Sequence, residues 1–252
     1  MIHHRRVVLI SDLHLCESRP DLVRAFYAFL DTIARNQEAL FILGDLFEYW
    51  VGDDATNSLH DDIAEKLRNL SASTSIYIMV GNRDFALGEP YAKRCNATLL
   101  PDPTAVQFGN LTWLLSHGDA LCTDDTGYQR YRSFIQSPRV LAALRRLPLS
   151  WRMKLASRLR QASKARNKTD KPHYIDVNQD AVKQALSGTQ HAGLIHGHTH
   201  MADWHYLVAN DQTTKERLVM GDWERMGWYV RFDQNEKTLN RFSVSQLVFK
   251  QH

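Results

Sequence analysis

Two histidines separated by one residue, His198 and His200 in the segment GHTH, are the side chains of this sequence that most strongly suggest chemistry. On an extended backbone, residues two apart point to the same side, so both imidazoles can reach one ion. Near the N-terminus, the segment SDLH offers Asp12 and His14. Imidazole and carboxylate are donors that Mn²⁺, Fe²⁺ and Zn²⁺ accept in proteins. These segments predict metal-dependent chemistry.

Three further segments place metal-capable residues directly after apolar runs. Asp45 follows LFIL, Asn82 follows SIYIMV, and His117 follows LTWLLS. Asp84 and Asp119 stand in the same segments as additional carboxylates. Singly, each residue has an ordinary explanation as a cap, a turn residue or a half-exposed histidine. Because ligands gather beyond the carboxyl ends of strands in open α/β sheets, the joint pattern predicts one shared site.

Donors of this kind, without thiolate, suit a pair of divalent ions. In a two-metal site with ions about 3.5–4 Å apart, one carboxylate bridges them and a shared hydroxide attacks phosphorus in line. Asp45 comes from the middle of the array and is the natural bridge. The three cysteines show no paired spacing, which argues against a disulfide framework and against a cysteine-based zinc site.

The elements that must position these residues alternate between strands and helices. Short apolar runs predict buried, parallel-type strands at 7–10, 40–43, 75–80, 111–116 and 193–196. Helical patterns at 20–35 and 58–70 separate the first three runs, which indicates α/β architecture. After residue 200, alternating patterns with tight connections predict an antiparallel sheet packed on the first part.

Residues 125–171 interrupt this alternation with helical sequence that is strongly basic. From residue 128 to residue 171 there are thirteen Lys or Arg and one acid; removing them from totals of 31 bases and 28 acids leaves 18 bases against 27 acids. Two interpretations stay open. The segment is either a solvated amphipathic hairpin around Pro148, or a cap whose apolar side meets something other than the core and whose bases meet phosphates. We expect one domain over 1–252, with 125–171 as a helical cap or lid within it.

The distribution of apolar and charged residues also bears on location and partners. No apolar run reaches the roughly 18–20 residues that cross a bilayer. The run VVLI near the N-terminus is interrupted by Ser11 and Asp12, which makes it too short for a secretory signal. We therefore expect a cytoplasmic protein. One basic stretch against an acidic body indicates a local anionic partner.

The motifs D-x-H, G-D, G-N, H-G and G-H-x-H, in this order over residues 12 to 200, resemble the calcineurin-like metallophosphoesterase superfamily. The resemblance implies a four-layer αββα sandwich, which agrees with the mixed strand pattern. It also implies one ion held by Asp12, His14, Asp45 and His200, and a second held by Asp45, Asn82, His117 and His198.

Arg83 departs from the superfamily pattern. Most members have G-N-H-[DE] in the third motif, where the histidine helps to protonate the leaving oxygen, whereas this sequence has GNRD. A guanidinium with a pKa above about 12 cannot donate that proton near neutrality. A phosphate leaving group, whose second pKa is around 6, does not need it. Arg83 can instead hold phosphate oxygens and stabilise transition-state charge, which favours a diphosphate substrate.

Additional segments narrow the resemblance to the UDP-2,3-diacylglucosamine diphosphatase family of Gram-negative lipid A synthesis. They are SDLHL, GDLFEYWVGDD, GNRDF, HGDALCTDD, IDVN, HGHTH and GDW, and they cover nearly the full length. The resemblance implies hydrolysis of UDP-2,3-diacylglucosamine to 2,3-diacylglucosamine 1-phosphate and UMP, with a metal-activated hydroxide attacking the α phosphorus. Two Mn²⁺ ions are implied, other divalent ions being possible. A peripheral position on the cytoplasmic face of the inner membrane is also implied, with the basic insertion over the acyl chains and on anionic lipid.

The same resemblance implies a set of substrate contacts. They are Asn82, Arg83, Asp125, Ser163, Asn167, Lys171 and His198. For the lysine, Lys168 and Lys171 both stay open. The register to IDVN favours Lys171 with a shift of one residue.

The sequence argues against three rival functions. A cyclic-nucleotide or dinucleotide phosphodiesterase would use the same site, but Arg83 and the basic insertion argue against it. A non-enzymatic scaffold, as in a retromer subunit of the superfamily, is disfavoured because all seven ligand positions are filled. Nucleic-acid binding is disfavoured because the bases alternate with Leu, Met and Trp at helical spacing. No obligate protein partner is implied.

Overall fold

The computed structural model describes residues 1–156 and 176–247 of the chain. The strands are β1 (His3–His4), β2 (Arg6–Ile10), β3 (Ala39–Leu43), β4 (Ser75–Met79), β5 (Thr98–Leu100), β6 (Thr104–Phe108), β7 (Leu111–Ser116), β8 (Gly193–His196), β9 (Asp203–Val208), β10 (Thr214–Val219), β11 (Met226–Asp233) and β12 (Glu236–Ser243). The helices are α1 (Pro20–Thr32), α2 (Ser58–Leu70), α3 (Glu89–Arg94), α4 (Thr126–Ile135), α5 (Pro138–Arg146), α6 (described over 149–156) and α7 (Gln179–Leu186).

These strands form two six-stranded sheets. Sheet I has the order β12–β11–β2–β3–β4–β5, and sheet II has the order β1–β6–β7–β8–β10–β9. Within sheet I, β2, β3, β4 and β5 run parallel to one another, and within sheet II, β7 and β8 are parallel. The five predicted strands are therefore present, but they are divided between the two sheets.

Strand β2 shows how the layers arise, because alternate side chains of a strand face opposite sides. Val7 and Leu9 belong to the apolar layer between the two sheets, whereas Val8 and Ile10 belong to an outer layer shared with α1 and α2. A smaller outer layer packs α7 against sheet II through Val182. The order helix, sheet, sheet, helix confirms the predicted αββα sandwich.

The two predicted helices have local causes that can be read in the structure. α1 begins at Pro20, which suits the first helical turn. It ends at Thr32, three residues before the predicted end at residue 35, because a 3₁₀ turn begins at Ala34. α2 covers 58–70 as predicted. Asn57 and His60 form a reciprocal cap, with Asn57 Oδ1 accepting from the His60 N–H at 3.0 Å.

The prediction of one C-terminal antiparallel sheet is wrong. The hairpin β9–β10 joins sheet II, where β10 pairs in parallel with β8, and the hairpin β11–β12 joins sheet I, where β11 pairs with β2. Alternation of apolar residues reports that one face of a hairpin is buried. It does not report which open strand edge the hairpin will complete, and here each of the two sheets takes one hairpin.

Helices α4, α5 and α6, over residues 126–156, form a helical segment that we call the insertion. α5 has no buried residue, and Phe134, Trp151 and Met153 are more than half exposed. The three helices enclose an open groove of about 560 Å³, lined by Tyr131, Phe134, Ile135, Arg139, Val140, Ala143, Leu144, Leu147 and Leu155. Across the described parts of the chain, no helix combines the length and the apolar character needed to cross a membrane.

Candidate metal centre

The seven predicted metal ligands lie on loops that follow β2, β3, β4, β7 and β8, and they meet at one edge of the sandwich. Sheet I contributes Asp12, His14, Asp45 and Asn82, and sheet II contributes His117, His198 and His200. The two sheets touch directly here, because the His198 N–H donates to Asp12 Oδ2 at 2.9 Å. The edge is therefore shared by both sheets.

Five of these seven residues adopt a left-handed backbone that non-glycine residues rarely use. They are Asp12, His14, Asp45, His198 and His200, with φ between 50° and 67°. Backbone hydrogen bonds hold the first loop to the second, with the Asp12 N–H donating to Gly44 O at 3.1 Å and the His14 N–H to Asp45 O at 3.0 Å. Strained backbone of this kind concentrates at functional sites.

Asp12, His14 and His200 form the first half of the cluster. Each offers one ligand atom, and these atoms lie within 4.8 Å of one another. His200 Nε2 is 3.4 Å from Asp12 Oδ1, and His14 Nδ1 is 4.0 Å from Asp45 Oδ2. Asp12 Oδ1 and His14 Nδ1 are buried and accept or donate no hydrogen bond among the described residues. A bound cation would satisfy buried oxygen and nitrogen atoms that lack a hydrogen-bond partner in this way.

Asn82 lies at the centre of the second half. Its Oδ1 is 2.9 Å from His198 Nδ1 and 3.0 Å from His117 Nε2, and His117 Nε2 is 3.7 Å from Asp45 Oδ1. On the other side of the ring, His117 Nδ1 donates to Leu43 O at 2.9 Å. A backbone carbonyl behind Nδ1 turns Nε2 toward the cluster, which is the arrangement expected of a metal-binding histidine.

The electrostatics of the edge call for positive charge. Asp12, Asp45 and Asp84 are at most 2% exposed. Burial, together with repulsion from Asp84 and Asp12, raises the pKa of Asp45, which opposes its ionisation. Burial lowers the pKa of His198 to about 3 and that of His14 to about 4, so both imidazoles are neutral near pH 7 and have a lone pair for a metal.

Asp84 supports the edge without joining it, a role the sequence did not reveal. Its carboxylate accepts from the backbone N–H groups of Gly81, Asp45, Leu46 and Phe47, at 2.7–3.4 Å. These bonds fix the loop that carries Asp45. Gly81, next to Asn82, has a specific reason to be glycine, because a Cβ there would overlap Asp45 Oδ1.

Asp119 likewise points away from the ligand cluster. It accepts from the Tyr128 hydroxyl at 2.6 Å and from Arg132 Nε at 2.7 Å, and so ties α4 to the loop of His117. The Tyr128 ring in turn stacks on His198, with centroids 6.2 Å apart and planes at 25°. Two of these residues, Tyr128 and Arg132, lie one helical turn apart, and no motif singled them out.

Two acids beside the cluster were also missed. Glu48 Oε2 is 3.6 Å from His14 Nδ1, and Asp222 Oδ2, in the segment GDW, is 3.5 Å from His200 Nδ1. Both are partly exposed. Asp222 is placed to orient the His200 ring, as carboxylates behind metal-binding histidines do.

The predicted substrate residues are distributed differently. The Arg83 N–H donates to Asp45 Oδ1 at 2.8 Å. Burial is the main cause of the lowered pKa of His14, and the positive charge of the Arg83 side chain lowers that pKa further. Asp125 caps α4 by accepting from the Tyr128 N–H at 2.8 Å. Ser163, Asn167, Lys168 and Lys171 lie outside the described residues.

The donor set at this edge fits two divalent ions. It combines carboxylate oxygen, amide oxygen and imidazole nitrogen without sulfur, a set that suits Mn²⁺, Fe²⁺ and Zn²⁺. Asp45 faces both halves, with Oδ2 toward His14 and Oδ1 toward His117. A carboxylate with one oxygen on each side is suited to bridging.

Comparison with known proteins agrees with this geometry. The family model of the calcineurin-like phosphoesterases matches residues 5–202. A UDP-2,3-diacylglucosamine hydrolase of Pseudomonas entomophila (strain L48) is 45% identical over 240 residues, which are 95% of this chain and 100% of the relative. The protein of the same name from Pseudomonas syringae pv. tomato is 46% identical over 237 residues, 94% of this chain and 95% of the relative. The chain therefore belongs to the calcineurin-like phosphoesterase family, in the group of the UDP-2,3-diacylglucosamine hydrolases, and is a metal-dependent hydrolase.

Proposed function

We propose that this chain hydrolyses UDP-2,3-diacylglucosamine in lipid A synthesis. Water attacks the α phosphorus, the bond from that phosphorus to the bridging oxygen breaks, and UMP and 2,3-diacylglucosamine 1-phosphate are released. The names and the nearly full-length similarity of the two Pseudomonas relatives support this substrate. The reaction needs a hydrolytic centre for phosphorus and, beside it, a surface for two acyl chains.

The observation that carries the proposal is the course of α4. At its N-terminal end, Tyr128 stacks on His198 in the metal edge. One and two turns later, Tyr131 and Ile135 line the apolar groove of the insertion. At a rise of 1.5 Å per residue, the step from residue 128 to residue 135 is about 10 Å. One helix thus connects a polar centre suited to a diphosphate with a groove suited to hydrocarbon.

The proposed ion ligands are the two overlapping sets named above, with Asp45 common to both. Divalent ions bound there, Mn²⁺ among those the donors suit, would supply Lewis acidity to a phosphoryl group and make water more acidic. The chain itself orients the donors. The Arg83 N–H holds Asp45 Oδ1 at 2.8 Å, and the Leu43 carbonyl fixes the tautomer of His117.

In this proposal Arg83 takes the position of a leaving-group acid without acting as one. Its guanidinium can bond two phosphate oxygens at once. The charge that develops on the leaving β phosphate is stabilised by such a fork. A monophosphate departing from the α phosphorus needs no proton donor, because its second pKa lies near 6.

In this proposal, the insertion and the residues that follow it supply the remaining contacts with the substrate. The acyl chains enter the groove, where each methylene removed from water contributes about 0.8 kcal/mol. The proposed substrate contacts are Asp125, at the N-cap of α4, and three positions outside the described residues, namely Ser163, Asn167 and either Lys171, which we favour, or Lys168. In this proposal, residues 125–171 are a lid within a single domain.

The exposed side of the insertion suits a membrane surface. Phe134 is 65% exposed and Trp151 is 66% exposed, among the bases of a strongly basic segment. Aromatic side chains next to bases favour the interface of anionic lipid. We therefore place the enzyme peripherally on the cytoplasmic face of the inner membrane of a Gram-negative bacterium. Co-sedimentation with anionic vesicles, but not with neutral ones, is the expected result.

Hydrolysis in ¹⁸O-labelled water tests the reaction and its regiochemistry together. The intact chain is incubated with UDP-2,3-diacylglucosamine and Mn²⁺, and both products are weighed by mass spectrometry. Attack at the α phosphorus puts the heavy oxygen into UMP, whereas attack at the β phosphorus puts it into the lipid phosphate. Label in the lipid product, or undiminished turnover by the chelated enzyme without added metal, would overturn the proposal.

A further inference from the structure

One segment of the sequence has no part in the proposed chemistry, namely VGDD at 51–54, between β3 and α2. It faces Arg152 of α6 in the insertion. The neighbours of Arg152 on that helix, Trp151 and Met153, are 66% and 51% exposed, whereas Arg152 is only 6% exposed. A buried arginine on an otherwise solvated helix has a specific partner as a rule.

That partner is Asp54, which Arg152 binds with both arms of its guanidinium. Nη1 donates to Asp54 Oδ1 at 2.7 Å and Nη2 to Oδ2 at 2.5 Å. Nη1 also donates to Val51 O at 2.7 Å, and Nε donates to Leu147 O at 3.1 Å. Paired bonds of this kind add geometric specificity to charge attraction. We call this set of bonds the clasp.

Gly52 makes room for the clasp. Its φ of +133° is a conformation that side chains rarely adopt, and a Cβ there would overlap Arg152 Nη1 and lie 2.7 Å from Asp54 Oδ1. The backbone of the loop is therefore shaped to let the guanidinium lie directly against it. The Asp54 side chain is itself 62% exposed, but a glycine, a bidentate carboxylate and a backbone carbonyl converge on one buried arginine, which argues for a built contact.

The other side of the same loop is bonded to the turn that carries Arg83. The Trp50 N–H donates to Arg83 O at 3.1 Å. Asp53 accepts from Trp50 Nε1 at 2.9 Å and from the Gly88 N–H at 3.1 Å. Residues 50–54 thus connect the Arg83 turn to the insertion through these hydrogen bonds and the Arg152–Asp54 ion pair.

We propose that the clasp between Arg152 and Asp54 is a positioning device that sets the distance between the acyl groove and Arg83, and so determines the preference for long acyl chains. The inference rests on the proposed function. Arg152 and Asp54 do not contact the reacting atoms; they hold α6, whose Leu155 lines the groove, against the loop that also supports the Arg83 turn. Without the clasp, the chemical centre stays intact and the groove loses its fixed position.

Steady-state kinetics on two substrates in detergent micelles tests this. For Arg152→Ala, KM for UDP-2,3-diacylglucosamine with long chains is expected to rise about tenfold while kcat changes less than about threefold. The analogue with two acetyl groups should show the same kcat/KM with either enzyme. Ser150→Ala is the matched control, because it changes an exposed uncharged side chain two residues before Arg152 on the same helix and should behave as wild type.

A double-mutant cycle and hydrogen exchange separate the clasp from a general loss of structure. Asp54→Asn alone should reproduce the KM effect, and Asp54→Asn combined with Arg152→Ala should be no worse than Arg152→Ala. Amide exchange of residues 138–156 should accelerate in Arg152→Ala, whereas exchange of β2, β3 and β4 should not. Equal losses on both substrates, additive effects or unchanged exchange would overturn the inference.

The two proposals can fail separately. Wild-type enzyme that does not turn over the diacylated substrate would contradict the proposed function. The exchange experiment uses the free protein without substrate, and so it still decides whether the clasp holds the insertion.

Discussion

The metal edge and the insertion are built in opposite ways. At the edge, Asp12 and Asp45 are 0% and 2% exposed, and their positions are fixed by bonds from three or more different loops. In the insertion, Phe134 and Trp151 are 65% and 66% exposed, and α5 has no buried residue. The first region therefore holds its buried carboxylates with several hydrogen bonds from neighbouring loops. The second presents apolar surface to its surroundings.

This contrast predicts a division of kinetic effects. A change at the edge removes interactions that exist only when bonds to phosphorus form and break, so it lowers kcat. A change in the insertion removes binding that is equal in the ground state and the transition state, so it raises KM.

Asp45→Ala should cause the largest loss of activity. The variant removes the carboxylate that faces both halves of the cluster, and we expect kcat for UDP-2,3-diacylglucosamine to fall by about 10³ or more. Asp31→Ala, at an exposed position near the end of α1, is the control for loss of one acid. Measurement of thermal unfolding shows that the variant is folded. A kcat within tenfold of wild type would contradict the assignment.

Arg83→Lys tests whether the edge needs a fork or only a charge. Lysine keeps the positive charge but donates from a single point, so it cannot hold two phosphate oxygens in the same plane. We expect kcat to fall by about 10² with little change in KM. The hydrogen bond from the backbone N–H of residue 83 to Asp45 remains in the variant. The variant therefore tests the side chain alone and leaves the support of Asp45 unchanged. A variant with full activity would show that charge alone suffices.

Phe134→Ser tests the insertion. It removes an aromatic wall of the groove, and KM for the long-chain substrate should rise about tenfold while kcat stays constant. Leu111→Ser provides the comparison, because Leu111 is also an exposed apolar residue, 41% accessible, but lies at the start of β7. A fall in kcat without a change in KM would erase the proposed distinction between the two regions.

The last expected effect concerns stability and not catalysis, at a position that belongs to neither region. Burial lowers the pKa of His60, in the cap of α2, to about 4. The unfolded chain takes up a proton near pH 6.5, which the folded chain accepts only near pH 4. The unfolding free energy is therefore unaffected by this residue above pH 6.5 and decreases as the pH falls toward 4, by at most about 1.4 kcal/mol per pH unit. Denaturant unfolding of His60→Gln should show a shallower pH dependence; an identical slope would refute the attribution.

The sequence predicted much of this structure because its signals are local. The span of α2 follows from the Asn57 cap and apolar periodicity, and each metal-capable residue follows its strand directly. The roles of Asp84 and Asp119 could not be predicted in this way. Both stand among the motif residues, as Asp45 does. They differ from Asp45 in their hydrogen bonds to backbone or side-chain groups, and only folding brings those groups near. The left-handed backbone of His198 and the pairing of Arg152 with Asp54 also depend on tertiary structure.

The division of the proposed metal ligands between the two sheets has a thermodynamic consequence. Asp12 and Asp45 belong to one sheet and His117 and His200 to the other, so a bound ion would join the layers at their shared edge. Such an ion acts as a reversible cross-link, present only while both sheets are folded and together. Folding and ion occupancy are then linked by mass action, and the resistance of the sandwich to heat rises with the free metal concentration.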